Sequence, residues 1–269
     1  MKLAYPVATP EVSGRLLAWS AGLNQCLPAL AEYGYSGVEW FVRNPAEFDA
    51  DALVRQLQQH GLATAAIGTG PVAVHDQLTF SHADPAIRAA AIARTRSIID
   101  LASRLQTQVN VGKLRGGVRH HPDAAKWRDE GFRAVCDYAA ARQVPITLEP
   151  QNRSIIDNLN STAESLAWLE TLCLPGLRLM LDSHHMHLED PCLPATLAAA
   201  RRHLIHIHLA DTHRLAPGHG AIDFSTFLRT LRALDYDGFL TVEIEQTPDS
   251  AAAAARAARY LYALLETIR

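Results

Sequence analysis

Short runs of β-branched and apolar residues alternate along the whole chain with longer stretches whose apolar residues recur three and four positions apart. The short runs are typical of buried strands, and the longer stretches are typical of amphipathic helices. Eight strands are predicted, at residues 2–7, 38–41, 62–67, 109–111, 145–149, 177–182, 204–209 and 239–244. Helices are predicted between them, at residues 16–33, 49–60, 86–105, 123–142, 161–172, 193–203, 225–234 and 250–268.

Several helix ends carry local signals that support these predictions. Gly61 stands where a left-handed residue would stop the second helix, and Pro85 stands in a first turn, where its missing N–H costs nothing. Ser161 and Glu164 have the spacing of a capping box. Residues 68–82 carry turn signals and are predicted to form a long loop.

Eight strands that are each followed by a helix indicate an α/β protein with a single (β/α)₈ TIM barrel, formed by residues 1–269 as one domain. No Pro/Ser-rich linker divides the chain. The competing fold, a doubly wound sheet, would usually have a glycine-rich phosphate turn after an early strand. Here the first strand runs into Val7-Ala8-Thr9-Pro10 instead, which favours the barrel.

Composition and charge narrow the classes of partner. The net charge of −3 gives no basic footprint for nucleic acid, so no nucleic-acid partner is expected. The four cysteines are scattered without a Cys-x-x-Cys pair, which predicts neither a structural zinc site nor a disulfide framework. No run of 18 apolar residues could span a membrane, and the first residues lack the apolar core of a signal peptide. We therefore expect a cytoplasmic protein with no membrane partner.

Candidate chemistry gathers at the predicted carboxyl ends of the last four strands. In 206–209, His206 and His208 share one face of the seventh strand. Active sites of barrels of this kind lie at the carboxyl ends of the strands. The four side chains at those ends form a set suited to one divalent cation, with oxygen donors favouring Mn²⁺, Mg²⁺ or Co²⁺ and one imidazole admitting Zn²⁺. They are Glu149, Asp182, His208 and Glu243.

Five segments of the chain carry a family resemblance. They are LEPQNR at 148–153, LDSHH at 181–185, HIHLAD at 206–211, PGHGAIDF at 217–224 and GFLTVE at 238–243. Together they resemble the xylose isomerase-like TIM barrels, and among these the sugar phosphate isomerases and epimerases that include ketose 3-epimerases and hydroxypyruvate isomerase. The resemblance covers nearly the whole chain from GYSGVE at 34–39 onward and is more specific for the metal site than for the substrate.

The resemblance implies a role for individual residues. Glu149, Asp182, His208 and Glu243 are implied to bind the metal, and Glu149 and Glu243 are implied to transfer protons as well. His185 and Arg214 match positions that hold substrate oxygens in the ketose epimerases. Ile155 departs from the family, because those epimerases have a further Glu six residues after the fifth-strand Glu. Family members are often dimers or tetramers, so a homodimer or homotetramer is a further expectation.

Other residues are weaker candidates for substrate binding. Lys113 and Arg115 lie in a glycine-bounded loop, where they could grip a phosphate or carboxylate or simply face solvent. Glu39, at the end of the second strand, is predicted to orient the substrate or a group behind the site, or to be a buried partner for an Arg. His206 is predicted to lie beneath the metal, and Glu245 to support Glu243.

The predicted activity is a metal-dependent isomerase or epimerase of a small sugar, sugar phosphate or hydroxy-keto acid. Removing the proton beside a carbonyl gives an enediolate, and a divalent cation stabilises its negative charge. Return of the proton to the opposite face gives epimerisation, and its transfer to the adjacent carbon gives isomerisation. The alternatives are an endonuclease IV-like zinc nuclease, a dehydratase of a polyol-derived ketone, and a barrel that binds a metal or ligand without catalysis.

Overall fold

A computed structural model of the protein describes residues 1–20 and 22–268. The eight strands are all parallel, each pairs with the next along the chain, and the last pairs with the first. The predicted (β/α)₈ barrel is therefore confirmed. The strands are β1 Lys2–Ala8, β2 Gly37–Phe41, β3 Ala63–Gly68, β4 Val109–Val111, β5 Ile146–Leu148, β6 Leu177–Asp182, β7 Leu204–Leu209 and β8 Phe239–Val242.

Helices surround this barrel and cover its outer face. They are α1 Leu23–Glu32, α2 Ala50–His60, α3 Gly70–His75, α4 Pro85–Arg104, α5 Ala124–Ala140, α6 Thr162–Leu172, α7 Ser183–Glu189, α8 Leu193–Ala200, α9 Phe224–Ala233 and α10 Ser250–Thr267. Short 3₁₀ turns lie at Pro45–Glu47, Lys113–Arg115 and Thr212–Arg214. No helix in the described part of the chain combines the length and the apolar composition needed to cross a membrane.

The helix ends show how the local signals act. Asp49 caps α2 by accepting hydrogen bonds from the N–H groups of Asp51 and Ala52, and Gly61 ends it at φ +65°. The hydroxyl of Ser161 caps α6 by accepting from the N–H of Glu164. The other half of the expected capping box differs, because the Glu164 carboxylate accepts from the N–H groups of the two residues before Ser161, at 159 and 160, and not from Ser161 itself.

The first predicted helix begins too early. The structure has α1 at Leu23–Glu32, whereas residues 16–20 are extended or turning, and Ala21 lies outside the described residues. Trp19 explains the difference, since it forms a bridge beside β1 and exchanges main-chain hydrogen bonds of 2.9 Å with Pro6 and Ala8. The apolar residues around Trp19 therefore belong to an extended segment beside β1 and not to a helix.

Two helices of the structure were not predicted. Helix α3 lies inside the segment that the turn signals assign to a loop, and α7 follows β6 directly. Both are short, with 6 and 7 residues, so neither is long enough to show a clear apolar period. They matter for function because both lie at the carboxyl ends of their strands and help to form the mouth of the barrel.

A polar layer fills the barrel interior just below that mouth. Glu39 of β2, Asn110 of β4, Thr147 of β5, His206 of β7 and Thr241 of β8 are all buried there and are joined by hydrogen bonds. Barrel interiors are usually packed with branched apolar side chains, so a connected polar layer is unusual. Buried polar groups cost free energy unless they are paired, and here the pairing runs across the barrel.

Candidate active site

The structure brings the four predicted ligands together at the carboxyl end of the barrel. Ligand atoms of Glu149, Asp182, His208 and Glu243 all lie within 4.8 Å of one another. Asp182 and His208 are direct partners in the register of β6 and β7, and Glu243 follows the end of β8. Consecutive strands therefore deliver three carboxylates and one imidazole to a single point.

The geometry of this cluster fits one divalent cation. Nδ1 of His208 lies 3.8 Å from Glu149 Oε1, 3.8 Å from Asp182 Oδ2 and 3.5 Å from Glu243 Oε2. Donor atoms that bind one ion at about 2.0–2.2 Å lie about 3–4 Å apart. Among the described residues, neither His208 Nδ1 nor Glu149 Oε1 has a hydrogen-bond partner although both are buried. Buried lone pairs without a proton donor are what a cation site requires.

Glu39 orients the imidazole of this cluster from below. Its Oε2 accepts hydrogen bonds from Nε2 of His208 at 2.8 Å and Nε2 of His206 at 2.9 Å, and its Oε1 accepts from Asn110. Because Glu39 holds the Nε2 side of the His208 ring, Nδ1 faces the three carboxylates. Glu39 is thus a buried partner of two histidines and not of an arginine, whereas His206 lies buried beneath the cluster, as predicted.

Burial and mutual repulsion dominate the electrostatics of the ligand carboxylates. Burial, together with the neighbouring Glu243, raises the pKa of Glu149 to about 8. Burial alone would also raise the pKa of Asp182, but the Arg214 guanidinium holds it well below its usual range. For His208, burial would lower the pKa, yet Glu39 and Glu243 raise it well above its usual range. A divalent cation would relieve the repulsion between these carboxylates.

Arg214 and His185 lie beside the cluster, as the family resemblance implied. Arg214 Nη1 lies 2.5 Å from Asp182 Oδ2 and 3.0 Å from Glu243 Oε2, and its Nη2 lies 2.8 Å from His185 Nε2. Arg214 can only donate, so its Nη2 donates to His185 Nε2 in this contact, while the side-chain amide of Asn152 lies 2.9 Å from Nδ1 of the same ring. Burial lowers the pKa of His185 to about 3, so the ring is neutral. Both residues line the cavity above the cluster.

The loop that follows β7 holds Arg214 in place. His213 and Arg214 have φ of +58° and +60°, a left-handed conformation that costs non-glycine residues about 1–2 kcal/mol each. Asp211 organises this loop, because its buried carboxylate accepts hydrogen bonds from four main-chain N–H groups, at 212, 218, 220 and 222. Gly220 is required there, since a Cβ would lie 2.3 Å from both Asp211 Oδ1 and Thr212 Oγ1.

The structure separates the two basic residues of the loop after β4. Lys113 is exposed and lines the cavity above the cluster. Arg115 differs from its predicted role as a substrate-binding residue, because its side chain is fully buried and donates to the carbonyls of Gly112, Glu149 and Asn158. Burial lowers its pKa to about 10. Arg115 therefore ties the main chain at Glu149 to neighbouring loops instead of reaching a substrate.

Sequence reasoning missed Gln151 as a site residue. Its Nε2 donates to Glu149 Oε2 at 2.7 Å, while its buried Oε1 lines the cavity without a hydrogen-bond partner among the described residues. A Cβ on Gly112 would lie 2.6 Å from Glu149 Oε2 and 2.7 Å from Gln151 Nε2, so glycine allows this close approach. Glu245, the expected support for Glu243, instead pairs with Arg15 at 2.9 Å.

These residues form the floor and walls of a cavity of about 850 Å³ at the mouth of the barrel. Strand β2 and the loops after the other seven strands contribute to its lining, and Ile155 lies at its edge with 45% of its surface exposed. The cavity volume lies in the range of small-molecule sites. The arrangement combines a candidate cation centre, two carboxylates for proton transfer and two donors for a developing oxyanion.

Comparisons with known proteins agree with this geometry. An L-ribulose 3-epimerase of Methylomonas sp. (strain DH-1) is 29% identical over 243 residues, which is 87% of this chain and 84% of that protein. A ketose 3-epimerase of Arthrobacter globiformis is 26% identical over 227 residues, which is 82% of this chain and 77% of that protein. The predicted similarity to ketose 3-epimerases is thus confirmed.

Comparison of structures gives the same fold. A solved L-ribulose 3-epimerase superposes with a TM-score of 0.85 over 100% of this chain and 95% of that one, at 23% identity. The family model described as xylose isomerase-like TIM barrel matches residues 27–264, a span that holds every candidate ligand. By that match, the chain is a member of the xylose isomerase-like TIM barrel family.

Proposed function

We propose that the protein is a divalent-metal-dependent epimerase of a small keto sugar, and that Glu149 and Glu243 transfer the proton. The convergence of both carboxylates on His208 Nδ1, at 3.8 and 3.5 Å, is the observation that carries this proposal. Relatives named L-ribulose 3-epimerase and ketose 3-epimerase support it. Their names point to inversion at C3, the carbon beside the carbonyl of a 2-ketose.

Glu149, Asp182, His208 and Glu243 would hold the cation. Three oxygen donors and one imidazole favour Mn²⁺, Mg²⁺ or Co²⁺ and also admit Zn²⁺. When bound, the cation supplies electrostatic stabilisation for the negative charge that develops on the substrate oxygens. Glu39 accepts the Nε2 proton of His208, so Nδ1 is the nitrogen that would bind the cation in exchange for its own proton.

Glu149 and Glu243 would invert C3 in two proton-transfer steps. One of them takes the proton from C3, the C–H electron pair forms a C2–C3 double bond, and the carbonyl oxygen becomes an enediolate oxygen. The other returns a proton to the opposite face of C3, which restores the carbonyl with C3 inverted.

The hydrogen bond from Gln151 fixes Glu149 Oε2 and leaves Oε1 free. Without a cation, burial and Glu243 raise the pKa of this carboxyl to about 8, so the metal-free site holds a proton there at neutral pH.

His185 and Arg214 would bind the oxygen that gains charge. Arg214 Nη2 and His185 Nε2 lie 2.8 Å apart in a direct hydrogen bond, so a substrate oxygen that contacts both residues would replace this bond, with the ring proton then on Nε2. Arg214 also carries a fixed positive charge beside the place where the negative charge develops, which stabilises that charge. Arg214 also neutralises part of the negative charge of Asp182 and Glu243, which it contacts directly.

The site favours this activity over a zinc nuclease. A nuclease with several ions needs further ligands, and the ends of β3 and β4 offer Gly68, Thr69 and Gly112. The second group of candidate ligands, Glu39 with the two histidines of β7, is joined by direct hydrogen bonds of 2.8–2.9 Å, which leaves no space for an ion between them. The dehydratase and the non-catalytic barrel make different predictions for a substrate, so experiment separates them.

The test is proton exchange in D₂O. Metal-reconstituted protein is incubated with a panel of 2-ketoses, ketose phosphates and hydroxy-keto acids, and deuterium incorporation is followed by NMR. Epimerisation predicts deuterium at C3 together with the C3 epimer. Isomerisation would instead produce an aldose, and a dehydratase would release water and give a deoxy product. Absence of any exchange, with about one metal bound per chain, would contradict the enediolate mechanism.

Two variants sharpen this test. Glu149→Gln and Glu243→Gln should each lower kcat by about 10²–10⁴-fold, which is the usual contribution of a general acid or base. Lys126→Gln is the control, because this exposed side chain lies on α5 and does not line the cavity. Its kcat should stay within a few-fold of the wild-type value. Equal losses in all three variants would point to general damage of the protein.

A further inference from the structure

Three exposed apolar side chains stand at the mouth of the active-site cavity. Val74 is 55% exposed, Ile155 is 45% exposed and Leu188 is 54% exposed, and all three line the cavity. Among the described residues, they are three of the five large apolar side chains that are exposed. Single apolar residues on a surface are ordinary, but several around one concave site indicate a ligand that covers them. We call these three residues the apolar collar.

The apolar collar occupies one side of the cavity only. Val74 comes from helix α3 after β3, Ile155 from the loop after β5, and Leu188 from helix α7 after β6. The opposite side, formed by the loops after β7, β8 and β1, presents the charged groups Arg15, Arg214 and Glu245, together with the half-buried Leu16 and Leu17. The exposed apolar side chains of the mouth therefore lie across from its charged ones, above the candidate cation centre. A ligand that fits it has a polar reacting end and an apolar part.

The volume of the cavity exceeds what a simple sugar needs. A ketohexose has twelve non-hydrogen atoms and needs roughly 360 Å³ at the roughly 30 Å³ that one water molecule occupies in the liquid. The cavity has about 850 Å³. A second cavity of about 430 Å³ adjoins it on the apolar side. Val74, Lys113, Ser154 and Ile155 line both cavities, so the space continues outward across the apolar collar.

We propose that the natural substrate is a keto sugar that carries an apolar substituent at the end remote from its carbonyl, and that the apolar collar binds this substituent. This inference rests on the proposed epimerase function. The reacting end belongs at the floor, beside Glu149 and Glu243, so the remote end points to the mouth. A sugar with hydroxyl groups alone would leave the collar in contact with water or polar atoms, whereas an apolar group would bury it.

The experiment compares two ethers of one ketohexose. The 6-O-methyl and 6-O-benzyl ethers block the same hydroxyl, so they differ only in the apolar surface that they offer. Deuterium exchange at C3 by the metal-loaded protein gives kcat/KM for each. We expect the benzyl ether to be favoured about tenfold or more, because transfer of the ring from water to the apolar collar adds binding free energy.

Two variants test whether the apolar collar causes the preference for the benzyl ether. Ile155→Ser and Val74→Ser should each reduce the ratio of benzyl to methyl kcat/KM by several-fold. Leu215→Ser is the matched control, because Leu215 is also exposed, at 40%, but does not line the cavity. The control should keep the wild-type ratio. All three side chains are exposed, and thermal melting checks that each variant stays folded.

The outcomes separate this inference from the function on which it rests. Exchange with both ethers at equal kcat/KM would overturn the apolar substituent and leave the epimerase intact. No exchange with either ether or with the parent ketose would overturn the epimerase itself. A dimer that Ile155→Ser and Val74→Ser dissociate, with an unchanged ratio, would also overturn the inference, because a second copy of the chain would then cover the apolar collar.

Discussion

Glu39 shows how one buried side chain governs the candidate cation site without belonging to it. It accepts hydrogen bonds from both histidines of β7 and from Asn110, and it is fully buried. Burial on its own would raise its pKa, but His208 and His206 hold the pKa well below its usual range. Glu39 is therefore a permanent negative charge beneath the cluster, and it increases the basicity of the imidazole above it.

Glu39→Gln should weaken metal binding while leaving the ligand residues in place. The amide keeps the shape of the carboxylate but removes the charge, so the dissociation constant for Mn²⁺ should rise by about 10–100-fold. Competition with a fluorescent chelator measures this change. Glu47→Gln is the control, because Glu47 is half-exposed and distant from the cavity. An unchanged dissociation constant in Glu39→Gln would show that its charge does not tune the site.

The ligands could be predicted from the sequence because each stands at the carboxyl end of a strand, where the barrel geometry fixes its direction. Arg115 could not be placed in this way, since its partners are main-chain carbonyls from three separate segments. Gln151 escaped notice for a related reason: its role depends on the contact with Glu149 across a two-residue turn. Such contacts have no periodic signal in a sequence.

The loop after β7 is the element that adds the proposed substrate contacts to the candidate cation site. It carries Arg214, and its shape depends on the four hydrogen bonds that Asp211 accepts. The glycines at 218 and 220 allow this loop to fold back, because there is no space for a side chain at either position. A Cβ at 218 would lie 2.4 Å from the ring of Tyr260, and one at 220 would strike Asp211.

Gly220→Ala should therefore damage catalysis through the loop rather than through the ligands. The added Cβ would push Asp211 and Thr212 apart, at a cost of about 1–3 kcal/mol in unfolding free energy, and would shift Arg214. Metal stoichiometry should stay near one per chain while kcat falls at least about tenfold. Gly22→Ala serves as the comparison, because a Cβ there meets no atom within 4 Å. Full activity in Gly220→Ala would disconnect the loop from substrate binding.

Elements with a clear apolar period were predictable, and elements determined by tertiary contacts were not. Strands β4, β6 and β7 have the predicted bounds. The start of α1 was wrong because Trp19 pairs with β1, and α3 and α7 were missed because they are short. These departures concentrate at the mouth of the barrel. Loops there are shaped by ligand binding and tertiary contacts, so the local preferences of the residues determine their secondary structure less strongly.

For the whole molecule, the carboxylate cluster is a source of instability when no cation is bound. Burial and Glu243 raise the pKa of Glu149 from 4.5 to about 8 in the folded protein. The folded state holds this proton more tightly than the unfolded chain does. The stabilising contribution of the proton is complete below pH 4.5 and is lost as the pH rises toward 8.

Glu149→Gln should therefore stabilise the metal-free protein at high pH. With a chelator present, the variant and the wild type should melt at similar temperatures at pH 5, whereas at pH 8.5 the variant should be more stable by roughly 2–4 kcal/mol. Calorimetry measures the free energy of unfolding of both proteins at both pH values. Subtracting the wild-type value from the variant value at each pH cancels the contributions of the titrating groups that the two proteins share. The same variant should lose the stabilisation that Mn²⁺ gives to the wild type. A difference that does not change with pH would contradict the raised pKa.

The closure of the barrel between β1 and β8 has a consequence for the order of events in biogenesis. Every candidate ligand comes from residues 149–243, yet Glu39, which orients His208, comes from β2, and the last ligand follows the last strand. Pairings between residues more than 200 positions apart form late in folding, because a long loop of chain must close first. A ribosome must therefore pass residue 243 before the proposed cation can be captured tightly, and on this proposal metal uptake would report the closure of the barrel.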